Sequence, residues 1–167
     1  MSTQLEDALA ALLDFRLSDW HGLPACLTTE VARTYGTPTA SSDTYLGSYP
    51  ALREVYDVRN AAAKGLIVYS RALRVIAVET AEPPPLQAAQ ALGKPDARKP
   101  GESSRPGSLV REHLYLHDGL VLTVAEPLDE HRGEPKILRC RGIRSLTAPH
   151  EYGAEYYLAE QNRLVFE

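Results

Sequence analysis

Leucines recur at helical spacing from the start of the chain. Leu5, Leu9, Leu12 and Leu13, with Leu17 beyond them, fall on one stripe, and Ala8, Ala10 and Ala11 fill the turns between. A 3.6-residue period in strong helix formers predicts an amphipathic helix over residues 3–16. Asp19 to Pro24 holds the only tryptophan together with a glycine and a proline, a turn that delivers Trp20 either to the core or to an exposed anchor position. Thr28 is then a candidate N-cap with Glu30 in the first turn, and Val31 to Tyr35 make a short second helix closed by Gly36 and Pro38.

From Thr44 the period changes to two. Tyr45 to Val58 and Leu66 to Glu79, rich in Tyr, Val, Ile and Leu, read as strands on either side of a turn over 60–65. Pro85 suits the first position of a short helix running to Leu92, which Gly93 and Pro95 terminate. Lys94 to Ser108 carries three Pro, two Gly and three Ser and reads as a mobile loop. Leu109 to His117, Asp118-Gly119 and Leu120 to Glu126 form a hairpin, because Asp-Gly supplies the two positive-φ positions of a type I′ turn. Ile137 to Ile143 reads as another strand, and 155–167 as a terminal hairpin in preference to a helix. The sum is one α+β domain over 1–167: an antiparallel sheet with short helices on one face.

Composition narrows what such a domain does. At 167 residues, 44% hydrophobic and 24% charged, the chain is an ordinary globular one, long enough to bury roughly two-thirds of its unfolded surface. A net charge of −4 with scattered cations gives no basic field for phosphate backbones, so nucleic acid is not an expected partner. No window approaches the ~18 apolar residues of a membrane span, and the acidic N-terminal helix is unlike a secretory signal. Two cysteines, Cys26 and Cys140, are too few for a disulfide framework and read as reduced thiols, which points to a cytoplasmic address. No cofactor or metal motif is present. No Gly-x-Ser-x-Gly or phosphate-loop pattern occurs, and four residues of strand hold His113 and His117 about 13 Å apart, too far for one ion.

Pairing across a two-residue turn sets His117 opposite Leu120, Tyr115 opposite Leu122, His113 opposite Val124 and Arg111 opposite Glu126, all on one side of the ribbon. Leu114, Leu116, Val121, Thr123 and Ala125 take the other side, the expected core face. Arg111, His113, Tyr115, His117 and Glu126 thus share a face that is either a solvated sheet surface or a recognition surface with donors, acceptors and a group titrating near neutrality. Arg53 lies on the equivalent face of the first half. Nine Tyr against two Phe fits both half-buried strands and an interface.

The halves repeat an order of signals. Val31 to Tyr35-Gly36-Thr37-Pro38 answers Ala88 to Leu92-Gly93-Lys94-Pro95, Arg53-Glu54-Val55-Tyr56 answers Arg111 to Tyr115, and Gly65 to Val68 answers Gly119 to Leu122, giving repeat units over 20–82 and 83–167. The segment Leu27 to Pro38 resembles the helix-to-sheet entry of SmpA-type small lipoproteins, and the tandem arrangement resembles that of β-lactamase inhibitory proteins, built from two helix-plus-four-strand units. The second copy keeps only Gly93 and Pro95 of the distinctive positions, and no inhibitor contact residue maps onto the chain. The resemblance implies a fold and a binding role. The expected function is therefore that of a non-catalytic binding protein, of the inhibitor, immunity or accessory class, presenting the Tyr/His/Arg face and Trp20 to a protein partner. The alternative is a small-molecule-binding protein or small enzyme using a histidine as acid–base group in a sheet–helix pocket. Pairing of exposed strand edges into a homo-oligomer is a third possibility.

Overall fold

The leucine stripe forms α1, Thr3–Leu13, in the computed structural model, which describes residues 3–46, 49–100, 106–129, 133–145 and 165–166. Leu5, Leu9, Leu12 and Leu13 are all buried, so the periodic face is the packing face. A 3₁₀ turn over Leu17–Asp19 then turns Trp20 inward. α2 is Thr28–Tyr35. Thr28 is its first residue and not its cap; Leu27 holds the cap position, and its N–H donates to Glu30 Oε2 at 2.7 Å, which is the carboxylate half of a capping box. Gly36, at φ +84°, ends the helix.

Two of the expected strands are hairpins. In place of one strand over 45–58 there are β1 (Ala40–Leu46) and β2 (Tyr49–Asp57), paired at Leu46↔Tyr49. In place of one over 66–79 there are β3 (Gly65–Arg71) and β4 (Arg74–Thr80). Their turn, Ala72-Leu73, has φ +51° and +67°, the positive pair of a type I′ turn without the Asn or Gly that usually occupies it. α3 is Leu86–Gln90, with Pro85 at its cap. The loop expected over 94–108 contains a strand, β5 (Ala97–Pro100), held by its pairing to β6 (Ser108–Tyr115) and by the buried Lys99–Glu112 ion pair at 3.5 Å. β7 (Leu120–Pro127), β8 (Lys136–Gly142) and the two-residue β9 (Val165–Phe166) complete the sheet. Apart from β9, the segment read as a terminal hairpin lies outside the described residues.

The strand order is β1-β2-β3-β4-β8-β7-β6-β5-β9, with every pairing antiparallel. A helix followed by four strands occurs twice, α2 with β1–β4 and α3 with β5–β8, and the two sets meet along β4 and β8 at Val78↔Gly142 and Glu79↔Arg141. The helices share one face. Leu9 and Leu12 of α1, Val31 of α2 and Ala89 of α3 belong to the same apolar cluster as Tyr56, Val78, Leu122 and Cys140 of the sheet. Trp20 packs on the Gly142 backbone, where an added Cβ would lie 2.5 Å from its ring, and its Nε1–H donates to Gly119 O at 3.2 Å. The opposite face carries a second cluster around Ile67, Tyr69, Ala77, Leu114 and Val121. Among the described residues no helix is long and apolar enough to cross a membrane.

Candidate functional site

The site grows from the β6–β7 hairpin, whose register differs from the one Asp118-Gly119 suggests. Tyr115 pairs with Leu120, His113 with Leu122, Arg111 with Val124 and Leu109 with Glu126, so the turn spans the four residues Leu116–Gly119. Three hydrogen bonds from outside the hairpin set this longer turn. The Leu116 N–H donates to Asp96 Oδ2 at 2.7 Å, and Gly119 O accepts from Ile143 N–H at 2.7 Å as well as from Trp20. A slip of two residues keeps every side chain on its face. Arg111, His113, Tyr115 and Glu126 therefore still share one face, which is the helix-covered face and not the open one.

The side chains of His113 and Glu126 lean toward each other over the Arg111↔Val124 pair. His113 Nε2 lies 2.6 Å from Glu126 Oε1, and Arg111 Nη2 donates to Glu126 Oε2 at 2.5 Å. Both oxygens of one carboxylate are thus engaged by side chains. Burial pushes His113 below the usual histidine range, outweighing the bond to Glu126 that favours its protonation, and Arg98 and Arg111 act in the same direction as burial. Burial alone would raise the Glu126 carboxyl, but the bonds from Arg111 and His113 hold it below its usual range. A charged carboxylate beside a neutral imidazole fixes the tautomer: Nε2–H donates to Glu126, and Nδ1 carries the lone pair.

α3 and the segment after it roof this face. The Tyr115 hydroxyl donates to Gly93 O at 2.9 Å, tying the end of α3 to β6, and burial pushes that phenol up to about 12. Beneath the roof is a cleft of about 290 Å³. Leu86 and Ala89 of α3 and Leu122, Val124 and Ile137 of the sheet form its apolar walls, while Arg98, His113, Tyr115 and Lys94 supply the polar part. Arg98 is the cleft-lining residue that the sequence reading missed. It lies directly across from His113 in the β5–β6 pairing, inside a segment that looked like loop. Ala97 and Lys99 on either side of it are buried, a pattern the sequence does not signal because lysine reads as a solvated residue.

The remaining expected site residues lie elsewhere. His117 is exposed in the turn, where its carbonyl accepts a hydrogen bond from the Ser145 hydroxyl. Arg53 pairs with Tyr69 and shares the opposite face of the sheet with Ala51 and Val55. Trp20 is fully buried, because the 3₁₀ turn points it at Gly142, so it offers no exposed anchor. On Arg53's side of the sheet Glu79 accepts from Arg141 at 2.9 and 3.0 Å, and Arg141 lies 5.2 Å from the Tyr69 ring centre. Cys26 and Cys140 are unbonded and buried, and burial pushes both thiols up, Cys26 to about 11. No group of three or more His, Cys, Asp or Glu among the described residues is arranged to hold a metal ion. No protein family, curated protein or solved structure matches this chain.

Proposed function

We propose that the chain is a small-molecule-binding protein whose site is the cleft between α3 and strands β5–β8. The observation that carries this reading is the roof: His113, Tyr115 and Arg98 line, together with α3, an apolar-walled cleft that opens to solvent on one side. A volume of about 290 Å³ lies at the small end of ligand sites, and apolar walls with a few convergent polar groups are their usual lining. Arg98 and Lys94 on the polar side favour a ligand with an anionic group on a short apolar body, since a guanidinium presents several donors to one carboxylate or phosphate.

The test is a thermal-shift screen of small carboxylates and phosphates, followed by calorimetric titration of the wild type, Arg98→Ala and His113→Ala. One-to-one binding weakened about 10- to 100-fold in Arg98→Ala, the loss of one or two charge-assisted hydrogen bonds, supports the reading. Binding indifferent to both substitutions, or no binding by any anionic compound, ends it.

A protein partner is the second reading, and a specific patch favours it. Leu73 is 64% and Leu27 45% exposed; Leu73 O accepts from the Thr28 N–H, so the two leucines are neighbours, and Arg71, Arg74 and Arg144 line the adjoining cleft. Isolated exposed leucines are ordinary, whereas adjacent ones rimmed by charge are a feature of interfaces. The doubled order of helix and four strands supports the further proposal that the two halves are copies of one unit.

A further inference from the structure

Resting on the cleft as a ligand site, we propose that the protein moves protons on carbon. His113 removes a proton from the carbon beside the carbonyl of a small oxo acid whose carboxylate is held by Arg98, and the proton is returned to the substrate. The arrangement supports this from three directions. Nε2 is occupied by Glu126 at 2.6 Å, and Glu126 is held in turn by Arg111 at 2.5 Å. A base oriented by a third group is the geometry that general-base catalysis uses. The other ring nitrogen, Nδ1, has no hydrogen-bond partner among the described residues, and the ring lines the cleft. Finally, among the described residues the cleft wall includes no Ser, Thr or Cys. The Tyr115 hydroxyl is committed to Gly93 O, and both cysteines lie outside the lining. With no hydroxyl or thiol nucleophile at hand and a histidine oriented by a carboxylate, proton transfer is the chemistry this proposal assigns to the cleft.

The step balances without a co-reactant. The C–H bond breaks and its proton goes to His113 Nδ1. The electron pair becomes the carbon–carbon double bond of an enolate, and the carbonyl π pair moves to oxygen, where the Arg98 guanidinium, across from His113 on β5, opposes the new charge. The imidazolium is stabilised by the Glu126 carboxylate. Protonation at the same or a conjugated carbon restores neutral His113, so the net result is isomerisation or hydrogen exchange. Leu122, Val124 and Ile137 supply the apolar wall of the same cleft. The charged and titratable groups facing His113 are Arg98 on β5, Arg111 and Tyr115 on β6, Glu126 on β7 and Lys94 after α3. His113 is the catalytic residue of this proposal, and Glu126 positions it.

The test follows loss of the C–H signals of 2-oxobutanoate and 4-oxopentanoate by proton NMR in D₂O, with saturation-transfer spectra of the same samples reporting binding. Wild-type protein is expected to exchange the protons adjacent to the carbonyl of at least one probe faster than equimolar imidazole. His113→Gln should lose about 100-fold or more of that rate while still binding. Glu126→Gln should lose about 10-fold and move the inflection of the rate against pH downward, because the carboxylate that favours the protonated ring is gone. A purely structural Glu126 would leave that inflection in place. Should His113→Gln fail to fold by circular dichroism, His113→Asn replaces it. Binding without exchange, or exchange unaffected at His113, overturns the proton-transfer proposal and leaves the cleft as a binding site. Failure of both probes to bind overturns the proposal together with its substrate class.

Discussion

At His113 the cost of burial and the attraction of Glu126 oppose each other, and burial prevails. The folded protein therefore takes up this proton less readily than the unfolded chain. Stability contributed by the neutral ring is complete above the ordinary histidine value of 6.5 and is lost as pH falls through it. Glu126 acts at lower pH. Its folded value is depressed, so the unfolded chain binds the proton first, near 4.5, and stability falls again as the pH drops below that value. The urea midpoint of the wild type should accordingly decline between about pH 7.5 and about 5.5, and His113→Gln should lack that part of the decline. An equal decline in the variant would assign it to other groups. The shared face of Arg111, His113, Tyr115 and Glu126 was legible in the sequence for a simple reason: alternation assigns faces, and a register error of two residues does not change them. What covers the face was not legible, since Arg98 and α3 reach it only through the β5–β6 pairing and the Tyr115–Gly93 bond.

Among the elements, the sequence is informative where local chemistry decides and silent where distant partners do. α1, which begins where expected but ends at Leu13, short of residue 16, and the Gly36 stop, which stands where expected, follow from period and φ. The β3–β4 turn does not, because Ala72 and Leu73 carry no turn signal, and β5 does not, because Lys99 is buried only by virtue of Glu112. The Asp-Gly turn was misread by two residues for the same reason, as Asp96, Ile143 and Trp20 hold its ends. The β3–β4 turn yields a prediction. Left-handed backbone costs a residue with a Cβ roughly 1–2 kcal/mol, and both turn side chains are exposed. Ala72→Asn/Leu73→Gly should therefore stabilise the protein by about 1–2 kcal/mol, seen as a melting temperature several degrees higher. An unchanged or lower melting temperature would mean that Leu73 contributes to packing despite its exposure. The same variant removes Leu73 from the patch proposed for a partner, so a gain in stability with loss of partner binding would locate that interface.

Across the whole molecule, the doubled helix-and-four-strand order raises the question of whether the halves unfold separately. The direct seam is narrow, two residue pairs between β4 and β8, and on its own it would couple the halves weakly. The N-terminal segment adds the stronger coupling. Leu13 O accepts from the Ala63 N–H in the first half at 2.8 Å, while Trp20, seven residues on, packs against Gly142 and bonds Gly119 in the second. One apolar cluster runs from Leu5 through Val68 and Val78 to Leu122 and Cys140, so neither half retains its packing when the other opens. Tryptophan fluorescence, which reports the second half, and far-UV circular dichroism, which reports both, should trace one urea transition. Gly142→Ala sharpens the test. Its Cβ would meet Trp20 ring carbons at 2.5 and 2.9 Å, an overpacking that costs about 1–3 kcal/mol. If the coupling runs through Trp20, both probes shift together to lower urea. Separation of the two curves, with dichroism retaining a later phase, would show instead that the first half stands alone and that the N-terminal segment belongs to it.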